Sequence, residues 1–265
     1  IKKISWPVLC VLLFICVLLF ISFGYSQPAK KISFQKASHI ITGAERLDQY
    51  LPLLQGKRVA ILGNQTSQIA GVSIVDALLK RGVHIQKIFS PEHGFRGQAD
   101  AGATVENSKD DITGLPIVSL YGKHSQPDGE DLKDVDILIY DLQDVGVRFY
   151  TNISELQRLM EAAAKYHKLL IVLDRPDPNG FYVDGPVLDT ALRSGVGMQR
   201  IPIVYGMTPG EYARMLNGEH WLRNNLVCNL KVITCLHYTH DSLYQLPIKP
   251  SPNLPDMQAV YLYPS

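Results

Sequence analysis

The sequence predicts an α/β fold with a parallel sheet covered on both faces. Two observations carry this. From Ala44 onward, short β-branched runs alternate with stretches of helical period, and polar residues collect just after the runs, where parallel strands hand over to helices.

The elements follow in order. Leu47, Tyr50, Leu51 and Leu54 recur at helical spacing, and Gly56 stops that helix. Arg58 to Gly63 is a short β-branched run, Ser73 to Lys80 reads as helix, and His84 to Phe89 is a strand again. Ile137 to Leu142 is a strand, Asn152 to His167 a long amphipathic helix, and Leu169 to Asp174 another strand. Between Gly94 and Gly129 the alternation breaks into an insertion, with a hairpin expected of Ala103 to Glu106 against Leu115 to Leu120. Further on, Ile201 to Gly206 is apolar, and Thr208-Pro209-Gly210-Glu211 opens a helix expected to run to about Leu222. That opening has capping-box spacing with proline at the first helical position. Asn152-Ile153-Ser154-Glu155 follows the same logic, so Glu155 and Glu211 read as caps and not as catalysts.

At the start, Ile1-Lys2-Lys3 precede an apolar run from Val8 to Phe23, and Gly24-Tyr25-Ser26-Gln27 follow. This is the order of a secretory signal, with cleavage expected after Ser26. The run is shorter than the roughly 20 residues a spanning helix prefers, which makes a retained anchor the lesser reading. Residues 27 to 40 are polar, basic and without period, a linker. Cys10 and Cys16 lie inside the apolar run, which disfavours a lipoprotein and leaves Cys228 and Cys235, too few for a disulfide framework. They read either as a pair or, more plainly, as two buried thiols on a strand. With 26 basic and 25 acidic residues there is no electrostatic case for nucleic acid or an anionic membrane.

In an open parallel sheet, ligands bind beyond the carboxyl ends of the strands. Four runs end in polar clusters: Gly63-Asn64-Gln65-Thr66-Ser67, Ser90-Pro91-Glu92-His93-Gly94-Phe95-Arg96, Asp141-Leu142-Gln143-Asp144 and Asp174-Arg175-Pro176-Asp177-Pro178-Asn179-Gly180. Taken singly, Asp177 and Asn179 are turn formers, and Asp141 and Asp174 suit helix N-termini. Glu92 stands out, because Pro91 stiffens its approach and Gly94 lets the backbone turn beside a carboxyl and an imidazole. A carboxyl in a partly closed cleft is favoured in its acid form, as a general acid at neutral pH requires. The first cluster lacks the glycines of a dinucleotide fingerprint, so no nucleotide cofactor is expected. His237 and His240 lack a third ligand nearby, so no metal is expected and solvated loop histidines are the reading.

These clusters, with Gly43-Ala44-Glu45-Arg46-Leu47, Gly56-Lys57-Arg58-Val59, the run Asp141 to Thr151 and Pro202 to Thr208, resemble the NamZ-type exo-β-N-acetylmuramidases. The resemblance runs in order from about Gly43 to the last residue. It implies a Rossmann-like domain, here 41–207, joined to a smaller second α/β domain beginning in 208–265 and truncated, since members continue well beyond the position of Ser265. It implies release of N-acetylmuramic acid from the non-reducing ends of peptidoglycan fragments, without a cofactor, in the periplasm or outside a bacterium. Membrane contact is then limited to the signal segment. Glu92 matches the glutamate proposed as catalytic in that family.

On this reading Glu92, His93 and Asp144 are the expected catalytic residues. Asn64, Gln65, Arg96, Asp141, Gln143, Arg148, Tyr150, Asp174, Arg175 and Asn179 are the expected substrate contacts. Glycoside cleavage needs a proton for the leaving oxygen and support for an oxocarbenium-like centre, usually from two carboxyls. Asp144, Asp141 or the sugar's own 2-acetamido group is open as the second participant. The lactyl carboxylate of N-acetylmuramic acid calls for a forked cation, for which Arg148, Arg96 and Arg175 are candidates. Arg148 has a second reading as an ion-pair partner of Asp141 or Asp144. A non-catalytic binder of wall fragments is the alternative from another functional class.

Overall fold

The computed structural model describes residues 39–92, 94–96 and 107–265. The expected signal segment, nearly all of the linker, His93 and the first arm of the expected hairpin lie outside the described residues.

Helix α1 (Leu47–Leu54) leads into β1 (Arg58–Gly63). A short ribbon of β2 (Gln68–Ile69) and β3 (Val72–Ser73) precedes α2 (Ile74–Leu79) and β4 (His84–Ser90). Then come β5 (Ser108–Lys109), β6 (Pro116–Ser119), the single-turn α3 (Gly129–Leu132) and β7 (Ile137–Asp141). The order ends with α4 (Asn152–Lys165), β8 (Leu169–Leu173), α5 (Pro209–Gly218), β9 (Asn229–Ile233) and α6 (Met257–Leu262).

The main sheet has the order β5-β6-β4-β1-β7-β8-β9, parallel except where β5 joins β6 antiparallel. Counting only its parallel strands in chain order gives 3-2-1-4-5-6, the doubly wound Rossmann arrangement. The order reverses between β1 and β7, whose last residues Gly63 and Asp141 are register partners. That reversal opens a crevice, because the connections leave β1 and β7 toward opposite faces.

Alternation along the central strands fills two cores. Ala60, Leu62, Leu138, Tyr140, Leu170 and Val172 pack under α4 and α5. Val59, Ile61, Ile137, Ile139, Ile171 and Leu173 pack under α1 and α2. Both faces are dry, which explains why these strands read as nearly continuous apolar runs.

β6 pairs with Ser108–Lys109, among the described residues. Ile201 to Gly206 forms no strand and meets its neighbours only through isolated bridges of Val204 with Val147 and Asp184. α5 stops at Gly218, before Leu222. Finally, β9 joins the main sheet beside β8, and α5, which precedes it, packs on the core beneath α4. Cys228 and Cys235 flank β9 as free thiols. Among the described residues no helix is long and apolar enough to cross a membrane.

Candidate active site

The crevice at the strand reversal is held shut at its base by hydrogen bonds. Gly63 leaves no room for a side chain, since a Cβ there would sit 2.7 Å from Ser67 Oγ. That hydroxyl accepts from the Asn64 amide at 2.9 Å and donates to the Asp141 carbonyl, tying the end of β1 to the end of β7. Asn64 Oδ1 accepts from Thr66 N at 2.9 Å and Thr66 Oγ1 at 2.6 Å, and Thr66 Oγ1 accepts from Gln143 N at 3.1 Å. Asn64 thus builds the turn through its Oδ1.

The acids that close the strands divide into satisfied and unsatisfied groups. Asp141 is fully buried and takes a forked ion pair from Arg175, at 2.6 Å from Nε and 2.9 Å from Nη2. Neither is then available as base or as lactyl-carboxylate partner. Asp174 accepts from Gly210 N at 2.8 Å, Arg175 N at 3.0 Å and Thr208 Oγ1 at 2.9 Å, and it clamps the first turn of α5. Burial pushes its carboxyl up to about 6.

Asp144 and Asp177 form a second, buried set. Asp144 Oδ2 accepts from the Tyr205 hydroxyl and from Gly146 N, while its Oδ1 is buried with no protein partner. Asp177 Oδ1 accepts from Asn179 N at 2.8 Å, and its Oδ2 is likewise unpartnered. Gly146 has φ +73°, and a Cβ there would fall 2.2 Å from Asp177 Oδ1. Only glycine lets the two segments close so tightly. Burial raises the Asp144 carboxyl to about 6 and Asp177 well above the usual range, with the charge of Asp144 adding to the latter. Asn179 donates to the Val145 and Val260 carbonyls, and Gln143 donates to those of Asp144 and Pro176. Both amide nitrogens are structural ties, while Gln143 Oε1 and Asn179 Oδ1 are buried with no protein partner.

The remaining expected cations are also engaged. Arg96 forks onto Asp110 at 2.6 and 2.8 Å. Arg148 donates from Nη1 to the Pro186 and Ile201 carbonyls, and no carboxylate among the described residues pairs with it. Its reading as the ion-pair partner of Asp141 or Asp144 is therefore replaced by a clamp on two carbonyls. Gln65 reaches the Lys249 and Pro250 carbonyls, and the Tyr150 hydroxyl donates to Pro250 O at 2.8 Å.

Glu92 occupies the turn after β4 and is half-buried. Its charge and a hydrogen bond raise the Tyr121 hydroxyl, which stands just beyond β6. Burial raises the Tyr150 and Tyr263 hydroxyls, and the charges of both Asp144 and Glu92 add to each rise. The two rings, 6.1 Å apart and edge-on, are therefore within electrostatic range of both acids. His93 lies outside the described residues.

Glu155 corrects the sequence reading. Thr151, at the N-cap of α4, has helical dihedrals and makes no side-chain cap bond. Glu155 instead pairs Oε1 with Arg158 at 2.8 Å, and its Oε2 is buried without a protein partner. Burial pushes this carboxyl up to about 7, opposed by Arg158 and reinforced by the charge of Glu92. Glu211 does serve as the expected cap, accepting from Thr208 N at 2.9 Å. His240 bridges Glu211 Oε1 and the Gly180 carbonyl, at 3.1 Å to each, from a turn where its side chain is 44% exposed.

Asn64, Gln65 and Arg96 do converge, on a cavity of 240 Å³ that also touches Phe95 and Ser73. A larger one, 730 Å³, lies by Thr66, Gln68, Arg175 and Tyr244.

The family model for the N-terminal part of the exo-β-N-acetylmuramidase NamZ matches residues 59–258. The chain belongs to the NamZ family. A NamZ relative from Bacillus subtilis (strain 168), a peptidoglycan β-N-acetylmuramidase, is 38% identical over 248 residues, covering 91% of this chain and 59% of the relative. A solved DUF1343 family protein from Bacteroides fragilis is 50% identical with a TM-score of 0.79, over 86% of this chain and 61% of that one. Another from the same organism is 37% identical with a TM-score of 0.74, over 84% and 58%. The chain thus spans about three-fifths of the length of the NamZ relatives it matches.

Proposed function

We propose that this chain carries the glycosidic chemistry of an exo-β-N-acetylmuramidase, releasing N-acetylmuramic acid from the non-reducing ends of peptidoglycan fragments, with Glu92 as general acid. Membership of the NamZ family supports the activity class. The observation that carries the role of Glu92 is its half-buried position after β4, within electrostatic range of Tyr121, Tyr150, Tyr263 and Glu155.

In this mechanism Glu92 gives its proton to the leaving glycosidic oxygen as the C–O bond breaks. Asp141 is locked to Arg175, and the Asp144 carboxyl is closed in by Tyr205 and Gly146. The nucleophile is then the sugar's own 2-acetamido oxygen, which captures the anomeric carbon. Water opens the resulting ring and returns its proton to Glu92. Asp144 acts as a positioning residue that fixes Gly146 and Tyr205.

Export belongs to the same reading, supported by the apolar run from Val8 to Phe23 and the small residues after it. The amino terminus of protein recovered outside the cytoplasm checks it, Gln27 being the expected first residue.

The decisive test is a chromogenic N-acetylmuramic acid β-glycoside. Wild type releases the chromophore, and Glu92→Gln binds the sugar without cleaving it. Release by neither this chain nor one extended beyond Ser265 removes the reading.

A further inference from the structure

All three arginines expected to meet a lactyl carboxylate are engaged elsewhere: Arg96 with Asp110, Arg175 with Asp141, and Arg148 with two carbonyls. A different set of guanidinium groups converges on an open cavity of 400 Å³ beside α4. Arg158, Arg193 and Arg223 line it, together with Trp221, Gln199 and Ser125. Its volume falls within the ~300–1,000 Å³ usual for small-ligand sites.

The wall of this cavity is a hydrogen-bonded lattice. Gln199 Nε2 donates to Gln157 Oε1 at 3.1 Å and to the Trp221 carbonyl at 3.0 Å, and Gln157 Nε2 donates to Glu161 Oε1 at 3.0 Å. Gln157, Glu161 and Gln199 are each at least 96% buried. Such a network fixes the groups around it before any ligand arrives. The electrostatics favour an anion, because three guanidinium groups line the cavity against Glu161 on its wall and Glu155 paired with Arg158, leaving Arg193 in excess. Glu161 accepts from Gln157 Nε2 and the Arg223 amide, and Arg223 Nε stands 4.0 Å from its Oε2. Arg193 makes no ion pair among the described residues, and its Nη2 donates to Gln199 Oε1 at 3.4 Å. Gly195 adds space, since a Cβ there would lie 3.1 Å from Arg158 Nη2.

The cavity is linked to the proposed acid through intervening residues. Arg158 bridges it to Glu155, whose carboxyl feels the charge of Glu92. The loop after β6 leads from Tyr121, bonded to Glu92, to Ser125 on the cavity wall.

We propose that this cavity is the subsite for the carboxylate-bearing sugar, with Arg193 and Arg223 taking the carboxylate and Trp221 supplying the apolar wall for the ring. The inference deepens the muramidase reading and rests on it for the identity of the ligand. Arg158 is a positioning residue that holds Glu155 and closes the inner end.

The test is calorimetric titration of the full chain with N-acetylmuramic acid and with N-acetylglucosamine, which lacks the lactyl carboxylate. Wild type should prefer the muramic sugar roughly tenfold or more, the scale of charge-assisted hydrogen bonds to a carboxylate. Arg193→Ala and Arg223→Ala should each reduce that preference, and the double variant should abolish it with unchanged circular dichroism. Arg193→Lys, which keeps charge without the fork, should restore part of it. Equal affinity of wild type for the two sugars, no binding of either, or a folded double variant that keeps the preference would overturn the subsite. Hydrolysis assays on the same proteins separate the two ideas. Cleavage by wild type together with an unchanged preference in the double variant sinks the subsite and leaves the muramidase reading intact. Preference lost in the variants without cleavage by wild type supports the subsite alone.

Discussion

Arg175 meets Asp141 across the sheet as a forked pair, 2.6 and 2.9 Å long, with both side chains at most 4% exposed. The pair lies beside the strand reversal, where a free arginine or a free carboxylate would otherwise be the natural ligand group. Its first consequence concerns stability. Arg175→Ala leaves a buried carboxylate without compensation and is expected to cost about 3–5 kcal/mol, read from urea unfolding. A loss below about 1 kcal/mol would mean that water enters and replaces the guanidinium.

For Glu92→Gln the expected result is a fall in kcat of about 10²–10⁴ with KM little changed, because the amide cannot donate the proton. Steady-state kinetics on the chromogenic glycoside give both numbers. A fall in kcat/KM that comes from KM alone would reassign Glu92 to substrate binding.

Glu155 makes stability depend on pH. Its carboxyl is raised from 4.5 to about 7 in the fold, so between those values the folded chain holds a proton that the unfolded chain has lost. Stability from this group is full below about pH 4.5 and is lost as pH rises through about 7. Asp144 and Asp174, each raised to about 6, act in the same direction over a lower window. Wild type is expected to lose stability from pH 5 to 7.5, and Glu155→Gln to lose less, by at most ~3 kcal/mol. Thermal melts across that range check this, and parallel slopes for the two proteins would contradict it.

Thr208 joins two devices through one hydroxyl, donating to Asp174 Oδ2 and accepting from Glu211 N. Thr208→Ala removes the cap of α5 and strips one partner from a buried carboxyl. The expected cost is about 1–3 kcal/mol by chemical denaturation, with Thr208→Ser recovering most of it. No difference between the alanine and serine variants would show that the hydroxyl carries neither role.

Much of the sheet is legible in the chain. β1, β7 and β8 announce themselves because strands covered on both faces are apolar along nearly their whole length, and β4 does so through its buried end at Ile88 and Phe89. β9 is harder, since Asn229-Leu230-Lys231-Val232-Ile233 lies at the sheet edge, largely half-buried or exposed, and carries a mixed pattern. The two apparent capping boxes teach the same lesson. Thr208 enters α5 with extended dihedrals and caps it, whereas Asn152, expected as the cap of α4, is the first helical residue behind a Thr151 that is already helical, leaving Glu155 to face Arg158. Local spacing is alike in the two cases, and the direction from which the chain arrives differs.

By itself the sequence determined the alternation of strands and helices, the polar handover at their ends, and the motifs that mark the family, because each depends on neighbours along the chain. Tertiary structure decided which polar groups remain free to act. Arg175 finds Asp141 across 34 positions and Arg96 finds Asp110 across 14, while Arg193 and Arg223 gather at a cavity with Trp221. A charged group's chemistry depends on its partner and its burial, and both are set only when distant segments meet.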